Sequence, residues 1–287
     1  MRWKGRRKSD NVVDRRGTFG PGGAGRRAGG GAAVLLVLAG LFFGPEVSNI
    51  LSLFLGGGQP QVQQQAPRTP EASRATDEAA EFTKVILAET EDTWNTVFRQ
   101  IGRQYQAPKL VLYEGRVQSA CGLNSAASGP FYCPADYQVY IDLSFLGELR
   151  RMGASGDFAF AYVIAHEVGH HVQNLVGIAK QVRQQQMQSS KAQANQLSVR
   201  MELQADCLAG VWINHTENRN AILEEGDIEE GLTAAAAIGD DTLQRKAQGY
   251  VVPESFTHGT AKQRQTWFMR GLRSGDINQC DTFSGDI

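Results

Sequence analysis

The sequence predicts an α+β fold, a small antiparallel sheet set among helices, preceded by one transmembrane helix. Three observations carry this. Apolar residues recur at helical spacing from about residue 76, give way to short alternating runs after Lys109, and return to helical spacing after Asp157. Gly and Pro separate the alternating runs, as in a small sheet. An uncharged apolar stretch near the amino end stands apart from both patterns.

The 287 residues, 41% of them hydrophobic, are enough for one or two domains with a real core. The net charge of −1 hides an uneven distribution: residues 1–31 hold nine Lys/Arg against Asp10 and Asp14, leaving 20 basic and 28 acidic residues for the rest. A basic, Gly-rich leader can serve as a nucleic-acid arm, but this one abuts an apolar segment, which argues against nucleic acid. From Ala32 to Gly44 there are 13 apolar or small residues, short for a bilayer span of about 20; continuing through Pro45 and Glu46 to Leu55 gives 24. No Ala-x-Ala-like cleavage site follows Phe43, so residues 32–55 read as a retained anchor ahead of a cleaved signal or a buried core helix. By the positive-inside rule residues 1–31 form a cytoplasmic leader and the body faces the periplasm or exterior, anchored by a single pass in the cytoplasmic membrane. Arg15-Arg16 and Arg26-Arg27 then read as topology charges.

Residues 56–75, rich in Gly, Gln and Pro, read as a flexible tether of roughly 25 Å. The body, residues 76–287, opens with a helix bearing Phe82, Val85, Ile86, Trp94, Val97, Phe98 and Ile101 on one stripe. The runs KLVLYEG, RVQSACG, PFYCP and YQVYIDLSF follow as strands. A helix is predicted from Asp157 to Val176, closed by Gly177. The Gln-rich stretch 181–196 has no strong apolar stripe. Further helices are predicted at about 195–214, 227–238 and 260–273, the last opened by the capping-box pair Thr260 and Gln263.

Four cysteines suit an exported body, where an even count permits two disulfides in any of three pairings. Cys121 and Cys133 flank a Gly-, Ser- and Pro-containing loop that can fold back on itself; pairing them leaves Cys207 for Cys280. In a reducing compartment all four would be thiols.

The predicted helix 157–176 contains His166-Glu167-Val168-Gly169-His170. Positions i and i+4 share a helix face about 5–6 Å apart, so the two imidazoles can converge on one Zn²⁺. Glu167 lies about 100° around the helix, where a carboxylate can act as general base on water. Core histidines satisfied by carbonyls are the structural alternative. A catalytic zinc needs a third protein ligand. Glu202 and Asp206 fall four apart beside Leu203, Ala205, Leu208, Val211 and Trp212, so one carboxylate can ligate and the other orient a ligand imidazole. His171 points away from the pair and reads as a surface or packing residue, and His215 as a helix-end cation. His258, next to Gly259 and before a capped helix, is a candidate oxyanion donor or a loop cap; Arg264 reads as the partner of a local acid.

HEVGHH followed by ELQAD resembles the Glu-zincin metallopeptidases. GPFYCPADYQVYIDLSF, HEVGHHVQNLVG, ELQADCLAGVW and THGTAKQRQTWFMRGL together resemble the bacterial neutral zinc metallopeptidase family. The likeness covers roughly Lys109 to the carboxyl end and the layout of the leader, with little match over residues 178–198 and 215–250. It implies a zincin-like domain, a zinc cofactor, ligands His166, His170 and Glu202, base Glu167, supporting Asp206, and peptide or protein substrates cleaved by a Glu-activated water. In such a fold YQVYIDLSF takes the place of the edge strand that can pair with an extended peptide; a buried structural strand is the alternative. Two other functions compete: a deformylase-like amide hydrolase with Cys121 as third ligand, and a non-catalytic envelope scaffold that keeps zinc for stability. Retention of Glu167 argues against a purely structural site.

Overall fold

The computed structural model describes residues 1–17 and 70–287. The run 32–55 read as an anchor and residues 56–69 of the tether lie outside the described residues, while residues 70–75, read as tether, are the first turns of a helix. Among the described residues no helix is long and apolar enough to cross a membrane.

Helix α1, Pro70–Gln100, buries the predicted stripe: Phe82, Val85, Ile86, Trp94, Val97 and Phe98 are all in the core. Ile101 is an exception. It lies one residue past the helix, where the chain has left the helical path, and is exposed.

The main sheet differs from the antiparallel one expected. Its order is β1 (Val12–Asp14), β2 (Lys109–Tyr113), β6 (Gln138–Asp142), β5 (Phe131–Cys133). β1 runs parallel to β2 and β2 parallel to β6; only β5 and β6 are antiparallel. Residues 114–137 are long enough for a parallel crossover, which needs about a dozen residues. They contain the separate hairpin of β3 (Arg116–Ser119) and β4 (Gly122–Ser125), and β5 then reverses the chain into β6. β2 and β6 are consequently covered on both faces: Leu110, Leu112, Val139 and Ile141 join the main core, while Val111, Tyr113 and Tyr140 pack with Val117 and Cys133 on the other side. YQVYIDLSF is therefore an inner strand, paired on both sides, and the edge beside the central helix is β5.

β1 comes from the basic leader. The first 17 residues are built into the body, which corrects their reading as part of a segment apart from it. Arg15 N–H donates to the Leu112 carbonyl and Leu110 N–H to the Asn11 carbonyl, extending the β1–β2 ladder, while Ser9 N–H reaches the Lys84 carbonyl on α1.

After β6 come α2 (Phe145–Arg151) and the central α3, Asp157–Val176, ended by Gly177 in the left-handed region at φ 90°. Phe158 to Gly169 are all buried, because α1, the sheet, α5 and α6 surround this helix. The Gln-rich segment is helical after all. α4, Ile178–Gln186, and α5, Lys191–Asn220, take up all of it but the turn at residues 187–190, and α5 begins at a Ser190/Gln193 capping box. Gln, Lys and Ala favour helix without an apolar stripe, and only Val182 and Val199 need be buried there. α6 is Asp227–Ala237, α7 Asp240–Gln248, and α8 Ala261–Ser274, the last opened by the Thr260/Gln263 box. α7 escapes a reading by apolar spacing because its buried side chains, Asp240 and Gln244, are polar.

α5 and α8 pack unusually closely. A Cβ on Gly271 would lie 1.9 Å from the Cys207 carbonyl oxygen, and one on Gly210 would lie 2.1 Å from that of Phe268. The Cys207–Cys280 disulfide ties the segment after α8 to α5, and Cys121–Cys133 ties the β3–β4 turn to β5.

Candidate metal centre

α3 and α5 face each other across Gly169, where a side chain would press on Ala205 backbone atoms 3.0–3.2 Å away. That approach brings His166 and His170 opposite Glu202. His166 Nε2 lies 3.2 Å from His170 Nε2 and 3.1 Å from Glu202 Oε2, and His170 Nε2 lies 3.3 Å from Glu202 Oε1. Ligands at the 2.0–2.1 Å distances of tetrahedral zinc stand about 3.3 Å from one another. The three side chains thus outline one face of such a tetrahedron and fit the ion.

The far nitrogen of each imidazole is held. His166 Nδ1 lies 2.8 Å from Asp206 Oδ1, and His170 Nδ1 lies 2.9 Å from Gln173 Oε1. Donation from Nδ1 fixes the tautomer that leaves Nε2 for a metal. Gln173 is anchored in turn by its amide donating to the Met201 carbonyl and to Gln204 Oε1. Asp206, fully buried, is gripped by Arg264, itself 1% exposed: Nε donates to Oδ2 at 2.8 Å and an Nη to Oδ1 at 2.9 Å. The Tyr162 hydroxyl donates to the same Oδ1.

These contacts set the charges. Burial opposes ionisation of Asp206, but Arg264 and His166 outweigh it and hold the carboxyl below its ordinary range. Burial likewise works against Glu202, yet His170 and His166 keep it well down. Glu167, on the same helix as the two imidazoles, goes the other way. Burial raises its pKa and the neighbouring histidines only partly offset the rise. A raised carboxyl pKa suits a group that must accept a proton and then release it.

His258 lies within electrostatic reach of Glu202, each charge influencing the other. Asp240 at the start of α7 holds it: Oδ1 lies 3.2 Å from His258 Nδ1, while Oδ2 accepts the N–H groups of Thr257, His258 and Gly259 at 2.6–3.0 Å. Burial lowers the imidazole pKa, but Asp240 and Glu202 more than restore it, so the net shift is upward. Gly259, at φ 89°, permits the turn.

His171 is a packing residue. It is fully buried, its Nε2 donates to the Gln106 carbonyl at 2.7 Å, and its Nδ1 accepts from the Tyr132 hydroxyl at 3.0 Å, tying α3 to β5. Burial pushes its pKa down to about 4 despite the carbonyl contact. His215 is further from a helix end than its spacing suggested, because α5 runs on to Asn220; it donates to the Gly275 carbonyl. Cys121 is disulfide-bonded, so it cannot be the third ligand of a deformylase-like site. A second acidic group, Asp157, Asp227 and Glu230, is occupied by protein donors: the Met1 amine reaches both aspartates and the Phe158 N–H reaches Glu230.

Asp240, Arg264, Tyr162 and Gln173 complete the centre, and of these only Arg264 drew notice in the sequence. Carboxylates and amides are too common for composition to single them out.

The chain belongs to the family described as "Putative neutral zinc metallopeptidase", whose model matches residues 1–283. It is 54% identical over 295 aligned residues to the uncharacterized protein YpfJ of Escherichia coli K12, covering 100% of both chains. It is 40% identical over 222 residues to the uncharacterized protein Rv2575 of Mycobacterium tuberculosis H37Rv, covering 74% of each. No solved structure matches.

Proposed function

We propose that the protein is a zinc-dependent peptidase, with His166, His170 and Glu202 as ligands and Glu167 as general base. The observation that carries this is the convergence of the two imidazole Nε2 atoms, 3.2 Å apart, on the Glu202 carboxylate, one oxygen 3.1 Å from His166 and the other 3.3 Å from His170, with both imidazoles oriented from behind and a buried carboxyl of raised pKa on the same helix. Bound zinc supplies Lewis acidity toward water and a peptide carbonyl. Glu167 takes the proton from the attacking water and hands it to the leaving amine. Asp206, held by Arg264, keeps the His166 ring in register. His258, positioned by Asp240, donates a hydrogen bond to the oxygen on which negative charge develops. The substrate is a peptide or protein. Two disulfides favour a body working outside the reducing cytoplasm, at the cytoplasmic membrane if residues 32–55 associate with lipid.

The test is Glu167→Gln. The amide keeps the shape but cannot accept the proton, so the variant should retain one zinc per chain and lose peptide hydrolysis by at least 10²-fold. Equal turnover by the variant and the parent on any cleaved peptide removes Glu167 from the mechanism.

A further inference from the structure

The leader's basic residues have acidic partners on the body. Lys4 meets Glu78, Arg6 Glu89, Arg7 both Glu91 and Asp92, Lys8 Glu81, and Arg16 Asp77; all these acids lie on α1. Single surface pairs add little stability, but a row of them specifies where a segment sits. Backbone pairing is the stronger tie. β1 covers the edge of β2, whose Leu110, Val111 and Leu112 are fully buried, and the buried Ser9 hydroxyl donates to Glu91 Oε1. Without β1 that ladder edge would lose its partners. Lys4, Arg6, Arg7, Lys8 and Arg16, five of the nine basic residues in the leader, are thus paired with carboxylates of α1.

The described residues stop at Gly17 and resume at Pro70. The two points are close, because the Arg16 guanidinium bonds Asp14 on the outgoing side and Asp77 and the Thr76 carbonyl on the returning side. We infer that the amino-terminal segment and the metal-bearing body lie on the same side of the membrane. A chain whose two ends share one side has crossed an even number of times. The apolar run Ala32–Leu55, 24 residues, is enough for one crossing and too short for two at about 20 each. A single crossing by that run and same-sidedness exclude each other. Same-sidedness replaces the single-pass arrangement and does not depend on the chemistry of the metal centre.

The native cysteines are all in disulfides, which leaves a clean background for labelling. Three single-cysteine variants of the full chain are needed: Lys4→Cys and Asp10→Cys in the exposed part of the leader, and Met187→Cys, 73% exposed, in the body. A membrane-impermeant maleimide is applied to cells with an opened outer barrier and an intact cytoplasmic membrane, then again after lysis. Same-sidedness requires the leader positions to label in the same step as Met187→Cys, whichever step that is. Labelling of Met187→Cys before lysis with Lys4→Cys and Asp10→Cys only after it, or the reverse, overturns the inference.

Discussion

Arg264 is the residue through which the helix packing and the metal centre are most tightly coupled, and its removal is the sharpest test of that coupling. Arg264→Met keeps the apolar stem of the side chain and deletes the guanidinium and its charge. Two short hydrogen bonds to Asp206 vanish, at 2.8 and 2.9 Å between groups that are 1% and 0% exposed. Charge-assisted bonds contribute about 1.5–3 kcal/mol each, which gives roughly 3–6 kcal/mol for the two. Breaking one partner out of a buried ion pair costs about 3–5 kcal/mol by an independent route, because the abandoned carboxylate cannot return to water. The two figures agree, and either is a large part of the roughly 5–15 kcal/mol that holds a domain folded. Asp206 would keep His166 and the Tyr162 hydroxyl, so the loss falls on the carboxylate's charge before the His166 ring moves. Urea unfolding of the full chain in detergent, with chelator present so that metal linkage is excluded, measures the stability term. Zinc titration by a competing chelator measures the second consequence, a loss of affinity of about 10–100-fold when a supporting group is removed. Arg264→Lys, which keeps the charge but not the fork, should recover part of both. A Met variant within about 1 kcal/mol of the parent and with unchanged zinc affinity would show that the pair does not support the centre.

Three further outcomes are expected. Glu202→Gln should bind zinc less tightly by at least 10²-fold by competition with a chelating dye, since it removes one of three protein ligands; unchanged affinity moves the third ligand elsewhere. His258→Ala should lower kcat by about 10²–10³ with zinc retained and KM little changed, and Asp240→Asn should act through it, so that the double variant is no slower than His258→Ala; additive losses would separate the two residues. Gly271→Ala should destabilise by about 3 kcal/mol or more in urea unfolding, because its Cβ would sit 1.9 Å from the Cys207 carbonyl oxygen and neither backbone can yield without parting α5 from α8.

What the sequence discloses depends on how local the physics is. The span of α3 could be read to the residue because Gly177 ends it with a left-handed turn that depends on nothing else in the chain. The capping box at Thr260 and Gln263 is just as local, and so is the i, i+4 spacing of His166 and His170. Features made by distant partners were less legible. YQVYIDLSF alternates as an edge strand would, yet β6 is paired on both sides; its neighbours come from residues 109–113 and 131–133, and alternation does not record strand order. Asp240 comes from α7, where nothing within a few residues marks it out, and Arg264 follows a legible capping box on α8 but its acid, Asp206, is 58 residues away rather than local. The leader shows the limit most clearly. A cluster of Lys and Arg beside an apolar run has one meaning if the charges face solvent and another if they face carboxylates. The carboxylates in question, Glu78 to Asp92, lie more than 60 residues downstream on a helix whose sequence was read for its apolar stripe alone. A positive-inside argument counts charges as though they were unpaired, and in this protein Lys4, Arg6, Arg7, Lys8 and Arg16 are not. These five side chains fasten the amino end to α1.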